Sequence, residues 1–337
     1  PYEIQPIDQY GMGLAPYITL TASLGVTVMT DSSAFIATLP PNDLSNKKCV
    51  VNTLNAPLNI AATKVGTVHL VGAGSGDPEL LTLKALRIMQ SADVVLYDSL
   101  VSEDILDMCE PTAEKIFVGK RRANHALPQE GINELLVKHA LAGKTVVRLK
   151  GGDPFIFARG GEELQEVVRH GIFFESIPGI TAASAAASST GIPLTHRDHA
   201  QTVKFVTAYK KSGAPNNNYD EHLDSTQTVV FYMGLHQLDE LTEGLIAAGR
   251  DSETPFAVIS HASLPTQQLL IGTLDSIAKQ QAEAKLPTPA LLIMGDVVTL
   301  YHEFADYNLG AFGKRAVCNI KQSITDKHLI PTFESVA

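Results

Sequence analysis

From Val65 onward the chain repeats one pattern: a short β-branched apolar run, a break at glycine or an acid, then a helical stripe. Thr67 to Val71 ends in Gly72-Ala-Gly-Ser-Gly-Asp-Pro78, and Asp93 to Tyr97 ends at Asp98. Lys115 to Val118 ends in Gly119-Lys-Arg-Arg122, and Thr145 to Leu149 runs into Gly151-Gly-Asp-Pro154. A fifth run, Ile172 to Ile177, ends at Pro178-Gly179. Strands that alternate with helices need crossover connections, so the pattern predicts an α/β fold with a parallel sheet. In such a sheet every strand delivers its following loop to the same edge, where open α/β proteins bind small molecules.

The helices between these strands have their own signals. Asp77 is a natural N-cap and Pro78 suits a first helical position, predicting a helix over 79–91 with Leu80, Leu83 and Leu86 inward. Ile132, Leu135, Leu136, His139 and Ala140 keep a helical stripe that Gly143 closes. Past Gly179, an Ala/Ser-rich helix over 181–190 leads into strands near 203–207, 228–232, 256–260, 269–272 and 290–294. Helices are expected over 235–248 and 274–284, and the pair of strands around Gly272 reads as antiparallel, so the second sheet is expected to be mixed. The domain reading is therefore a strand-containing extension over 1–65, with alternating apolar residues from Tyr17 to Val28. An α/β domain over 66–178, a second over 179–302 and a tail over 303–337 follow.

Composition excludes several classes. Hydrophobic residues make up 45% and charged residues 18% of the 337, which suits a sizeable core. A formal charge of −10 argues against a nucleic-acid binder or an anionic-membrane binder. Cys49, Cys109 and Cys318 are far apart with no CxxC, so no disulfide framework or zinc site is indicated, and a reducing, cytoplasmic setting is expected. No run reads as a membrane span or a secretory signal. His196-Arg-Asp-His199 lacks the spacing and cysteine partners of a metal site, and no metal is expected.

The strand ends carry the candidate chemistry. The loop 72–77 is close to a dinucleotide fingerprint, but its third glycine is misplaced and Asp77 at the helix start would repel a pyrophosphate. Ser75, Asp98, Lys120 and Asp153 all fall just past successive strands and so share one edge. Gly151 and Gly152 let backbone approach a ligand closely. Arg121, Arg122 and His125 beside Lys120, together with Arg148, Lys150 and Arg159, make an expected anion-reading surface in an otherwise acidic chain. Met233, after the strand ending at Tyr232, is a core methionine or a contact to an apolar or sulfur-containing ligand.

Taken in order, these motifs resemble one family. Gly72 to Leu83, Leu96-Tyr-Asp98, Val118-Gly-Lys-Arg121, Pro128-Gln129, Val147 to Glu163, Pro178 to Ala182, Gly191 to Asp198 and Phe231 to Leu235 resemble the tetrapyrrole methylases, within them the branch that acts on uroporphyrinogen III. The likeness covers roughly 65–300. It implies two α/β domains that bind S-adenosylmethionine between them, as a homodimer, and transfer of two methyl groups to ring carbons of uroporphyrinogen III to give precorrin-2 for siroheme or cobalamin. By position it implies cofactor contacts at Ser75, Gly151, Gly152, Asp153, Ile156, Thr181, Ala182, Met233 and Ala262, a proton acceptor at Asp98 and a donor at Lys120. Ser75, Ala123, Ala158, Tyr209 and Ala262 depart from the family's usual residues. A methylase of a later precorrin, or a non-catalytic cofactor- or tetrapyrrole-binding module, fits the same motifs.

Overall fold

The computed structural model describes residues 65–119, 127–208, 216 and 218–305, with the backbone of three further short strands. Two of these, β1 (Thr27–Asp31) and β2 (Ala34–Thr38), form an antiparallel hairpin within the N-terminal extension. The expected strand over 17–28 lies mostly outside the described residues.

The first sheet holds β3 (Thr67–Gly72), β4 (Val94–Tyr97), β5 (Glu114–Phe117), β6 (Thr145–Lys150) and β7 (Phe173–Ile177) in the order β5-β4-β6-β3-β7. Every pairing in it is parallel. Alternate residues of the central strands enter separate cores. Val68, Leu70, Val94, Leu96 and Val146 pack under α3 (Gln129–Leu141) and α4 (Gly160–Arg169). Val71, Val95, Val147 and Leu149 pack with Ala85, Met89 and Ile105 of α1 (Leu83–Met89) and α2 (Glu103–Leu106). The sheet is thus covered on both faces, which explains the near-continuous apolar strands. Chain direction diverges at its centre: β3 connects towards the β5 edge and β6 towards the β7 edge, although the two are neighbours. The crevice above such a switch point is where doubly wound sheets place ligands.

One helix departs from expectation. The segment 79–91 is split into a 3-10 turn, Pro78–Leu80, and α1, because Thr82 takes extended backbone and its Oγ1 accepts from Ala85 N at 3.1 Å. This N-cap resets the helical phase. Ala85 and Met89 face inward, while Leu83 is 82% exposed.

The second sheet comprises β8 (Thr202–Thr207), β9 (Gln227–Tyr232), β10 (Pro255–Ser260), β11 (Gln268–Thr273), β12 (Ala290–Met294) and β13 (Ala316–Val317), ordered β13-β11-β10-β12-β9-β8. Two of its pairings are parallel and three antiparallel, so it is mixed. On one face, α5 (Ala182–Thr190) lays Ala183 and Ala186 against Val230, Ala257, Ile259 and Ile293. Only small side chains allow so close an approach. The other face is filled by Phe231, Phe256 and Leu292 beneath α6 (Leu238–Ala247) and α7 (Ile277–Ala284). A short α8 (Tyr301–Phe304) closes the described body. Among the described residues no helix is long and apolar enough to cross a membrane. Cys109 is a buried thiol pushed up to about 11 by its burial, and Cys49 and Cys318 lie outside the described residues.

Burial holds His69, His139 and His222 below the ordinary histidine value of 6.5. The unfolded chain therefore binds more protons than the folded one as pH falls through 6.5, so stability present above that value is lost below it. Urea midpoints should be lower at pH 5.5 than at pH 7.5, and H222N should narrow the difference; equal midpoints would contradict the account.

Candidate active site

The site is built where β3 and β6 end. The two glycine loops are tied by reciprocal backbone bonds, Gly74 N to Gly152 O at 3.1 Å and Gly152 N to Gly74 O at 2.6 Å. Gly152 has φ +70°, and a Cβ built on it would meet no atom within 4 Å. Its missing side chain therefore opens on free space at the sheet edge, a cradle that any other residue would fill. Gly179 is the reverse case: a Cβ there would lie 2.2 Å from Gly152 O, so the crossing between the halves needs glycine for space. Asp153 fastens this crossing. Its Oδ1 accepts from Phe155 N at 2.9 Å and its Oδ2 from Gly179 N at 3.2 Å. Ile156 and Ala158 follow on the same loop, both half-buried.

Asp98, at the end of β4, is held on both oxygens. Oδ1 accepts from Leu100 N at 3.0 Å, and Oδ2 accepts from Arg148 Nη2 at 3.4 Å. Beneath it lies a buried ion cluster. Glu163, 0% exposed, accepts from Arg148 Nε at 3.1 Å, from Lys150 Nζ at 2.9 Å on each oxygen, and from Gln129 Nε2 at 3.2 Å. Arg148 and Lys150 were expected on the anion-reading surface; this is corrected, because they are 4% and 3% exposed and turned onto Glu163. Burial, reinforced by the adjacent guanidinium, lowers the Lys150 ammonium from its usual value. Arg159 does reach solvent, where it pairs with Glu162.

The second sheet supplies the opposite wall. Tyr232, the last residue of β9, places its hydroxyl 2.7 Å from Thr181 Oγ1 and accepts from Ala183 N at 3.2 Å, at the start of α5. Its ring packs on Phe157 from the β6 loop, with centroids 4.9 Å apart. Burial pushes this phenol up. Ser75 Oγ meets Ser263 Oγ, which ties the β3 loop to the segment after β10. Ala262 is partly buried against the core beneath α5, as is Ala182. Five non-glycine residues after β6, β9 and β10 hold positive φ: Phe157, Arg159, Met233, His261 and Ser263. Backbone strain of this kind collects at functional sites.

The remaining expected residues, Lys120, Arg121, Arg122 and His125, lie outside the described residues, as do Ala123 and Tyr209. Gly119, the last described residue before them, packs so closely that a Cβ would fall 2.7 Å from Ser99 N.

The sequence profile of the tetrapyrrole (corrin/porphyrin) methylases matches residues 67–278. The chain belongs to this family. The siroheme synthase of Psychrobacter arcticus is 60% identical over 268 residues, 80% of this chain and 49% of that protein. That of Pseudomonas aeruginosa strain PAO1 is 52% identical over 246 residues, 73% of this chain and 53% of its own length. This methylase chain thus spans about half the length of the curated relatives it matches. A uroporphyrin-III C-methyl transferase from Thermus thermophilus, crystallised with S-adenyl homocysteine, superposes with a TM-score of 0.61 at 40% identity, covering 70% of this chain and all of that one.

Three features of this tetrapyrrole methylase escaped the reading of its residues: the Tyr232 hydroxyl, Ser263 and Glu163. Glu163 had a signal. Arg148 and Lys150 are two apart on a central strand and so face one side, and cations buried there require an acid on the covering helix. Ser263 carried no such signal, since its contact spans 188 positions.

Met233 has φ +58° and is half exposed, so its side chain contributes little packing to offset a left-handed backbone. M233G should raise the unfolding free energy by about 0.5–1 kcal/mol, the strain relieved less the entropy glycine adds to the unfolded chain. A lowered urea midpoint would show that packing at Met233 outweighs the strain.

Proposed function

We propose that this chain transfers methyl groups from S-adenosylmethionine to two ring carbons of uroporphyrinogen III, giving precorrin-2 on the way to siroheme or cobalamin. The observation that carries the reading is the placement of the Gly152 cradle and Asp98 just past the neighbouring strands β6 and β4, on one edge of the parallel sheet, with Asp153 tying that edge to Gly179. Whole-length likeness to the Thermus uroporphyrin-III C-methyl transferase, at 42% identity in a second structure of it, supports the substrate class. Activities belonging to the remaining length of the siroheme synthases are not assigned to this chain.

When bound, S-adenosylmethionine supplies an electrophilic methyl group on a sulfonium, which an electron-rich pyrrole carbon accepts without a covalent bond to protein. The residues present fit that cofactor. Gly152 offers an uncharged backbone cradle with the Asp153 carboxylate beside it, which suits a sulfonium better than a phosphate, while Gly151 brings the loop close against Leu100. Ser75, Ile156, Thr181, Ala182, Met233 and Ala262 complete its surroundings in this reading. Asp98 holds a carboxylate at the strand end to take the proton that the ring loses for each methyl gained. Lys120 is the family's proton donor by position, serving proton movement between ring positions without changing that net loss. Arg121, Arg122 and His125, with Arg159, are the cations this reading assigns to the carboxylates of the macrocycle. The chain's part is then positioning and proton management. A cytoplasmic homodimer belongs to the same reading, and the mass in solution tests it.

Incubation with uroporphyrinogen III and labelled S-adenosylmethionine should place two methyl groups on each macrocycle. Cofactor binding without transfer would overturn the proposal. D98N should lower kcat by about a hundredfold or more, within the range general base catalysis supplies, with cofactor affinity unchanged. Retained turnover in D98N would remove Asp98 from the proton step.

A further inference from the structure

Glu163 has a place in the fold that packing alone does not explain. It is the fourth residue of α4, fully buried, on the face of the sheet where Val146 and Leu164 make ordinary apolar contacts. Burying a carboxylate with two cations costs desolvation that apolar side chains at 148 and 150 would avoid, and such replacements are often neutral or stabilising. The cluster also has a direction. Arg148 spends Nε on Glu163 and Nη1 on Leu149 O at 2.9 Å and Leu96 O at 3.4 Å. What remains is Nη2, and it extends to Asp98. Leu96 lies two residues before Asp98 on the same strand, so the guanidinium is anchored to the strand whose end it serves.

We propose that Glu163 and Arg148 are positioning residues for Asp98: Glu163 fixes the guanidinium and shares its charge, so that Arg148 orients the Asp98 carboxylate through Nη2 while its closer ion pair lies elsewhere. This rests on the reading of Asp98 as proton acceptor. Two features support it. The Arg148 contact to Asp98 is longer than its contact to Glu163, 3.4 against 3.1 Å, so the stronger bond lies away from the reacting group. The charges also balance as a set: Arg148 and Lys150 from β6 against Glu163 from α4 and Asp98 from the end of β4. Among the described residues these are the charged groups that the ion pairs join to Asp98, directly or through Arg148 and Glu163, and Lys120 after β5 lies outside the described residues.

The test is the pH dependence of kcat for methyl transfer to uroporphyrinogen III in E163Q. This change keeps the side chain's size and removes its charge. The guanidinium then acts on Asp98 alone, so the acid limb should move about one pH unit lower and the plateau should fall about three- to tenfold, with KM for S-adenosylmethionine unchanged. Because E163Q leaves two cations facing one carboxylate, a second variant, E163Q with K150M, restores the charge count and should keep a smaller acid-limb displacement in the same direction, the part that comes from the freed guanidinium. An acid limb that superposes on wild type in either folded, cofactor-binding variant would overturn the proposal and leave Glu163 a structural residue. Absence of methyl transfer by the unaltered chain would instead overturn the functional reading, so the two failures are separable.

Discussion

The contact on which this structure depends is the approach of backbone to backbone at the ends of β3 and β6. Gly74 and Gly152 exchange hydrogen bonds there, and Gly179 comes against Gly152 so closely that no side chain fits between them. The connections from the two strands leave in opposite directions, which opens a crevice at the sheet edge. The glycines then bring the start of the second half onto that crevice. Asp153 binds the arrangement by accepting from Gly179, so the carboxylate nearest the cradle also sets the position of the opposite wall. One short stretch thereby determines both the shape of the site and the join between the halves.

The sheet architecture was legible because its signal is periodic and local. Every strand of the parallel sheet was readable from an apolar run that ends at or next to glycine or an acid, and the mixed second sheet from the antiparallel-looking pair of strands around Gly272. The helix over 79–91 was misread because Thr82 competes as a cap inside an apolar stripe, and only the folded backbone shows that it wins. The site was legible as a set of strand ends but not in its electrostatics. Arg148 and Lys150 read as surface cations because charge is usually solvated, yet alternate positions of a central strand are buried whatever residue occupies them. Contacts such as Ser75 with Ser263 or Phe157 with Tyr232 depend on how two sheets dock, and no short-range pattern encodes that.

Strain and buried charge fall in the same region. The positive-φ residues Phe157, Arg159, Met233, His261 and Ser263 follow β6, β9 and β10, while the Glu163 cluster sits directly below the β4 and β6 ends. Both features cost stability, and both are supported by rigid layers close beneath them. The well-packed cores on either face of each sheet allow the edge to hold unfavourable backbone and desolvated charge without giving way.

Coverage of the parallel sheet on both faces has a consequence for how this scaffold can vary. Below the edge, each strand position is committed to one core or the other, and any change there is felt by an entire layer. At the edge, the loops after β3, β6 and β7 are tied to one another through Gly74, Gly152, Asp153 and Gly179. Recognition can therefore vary only around that shared knot, while the layers beneath it stay as they are.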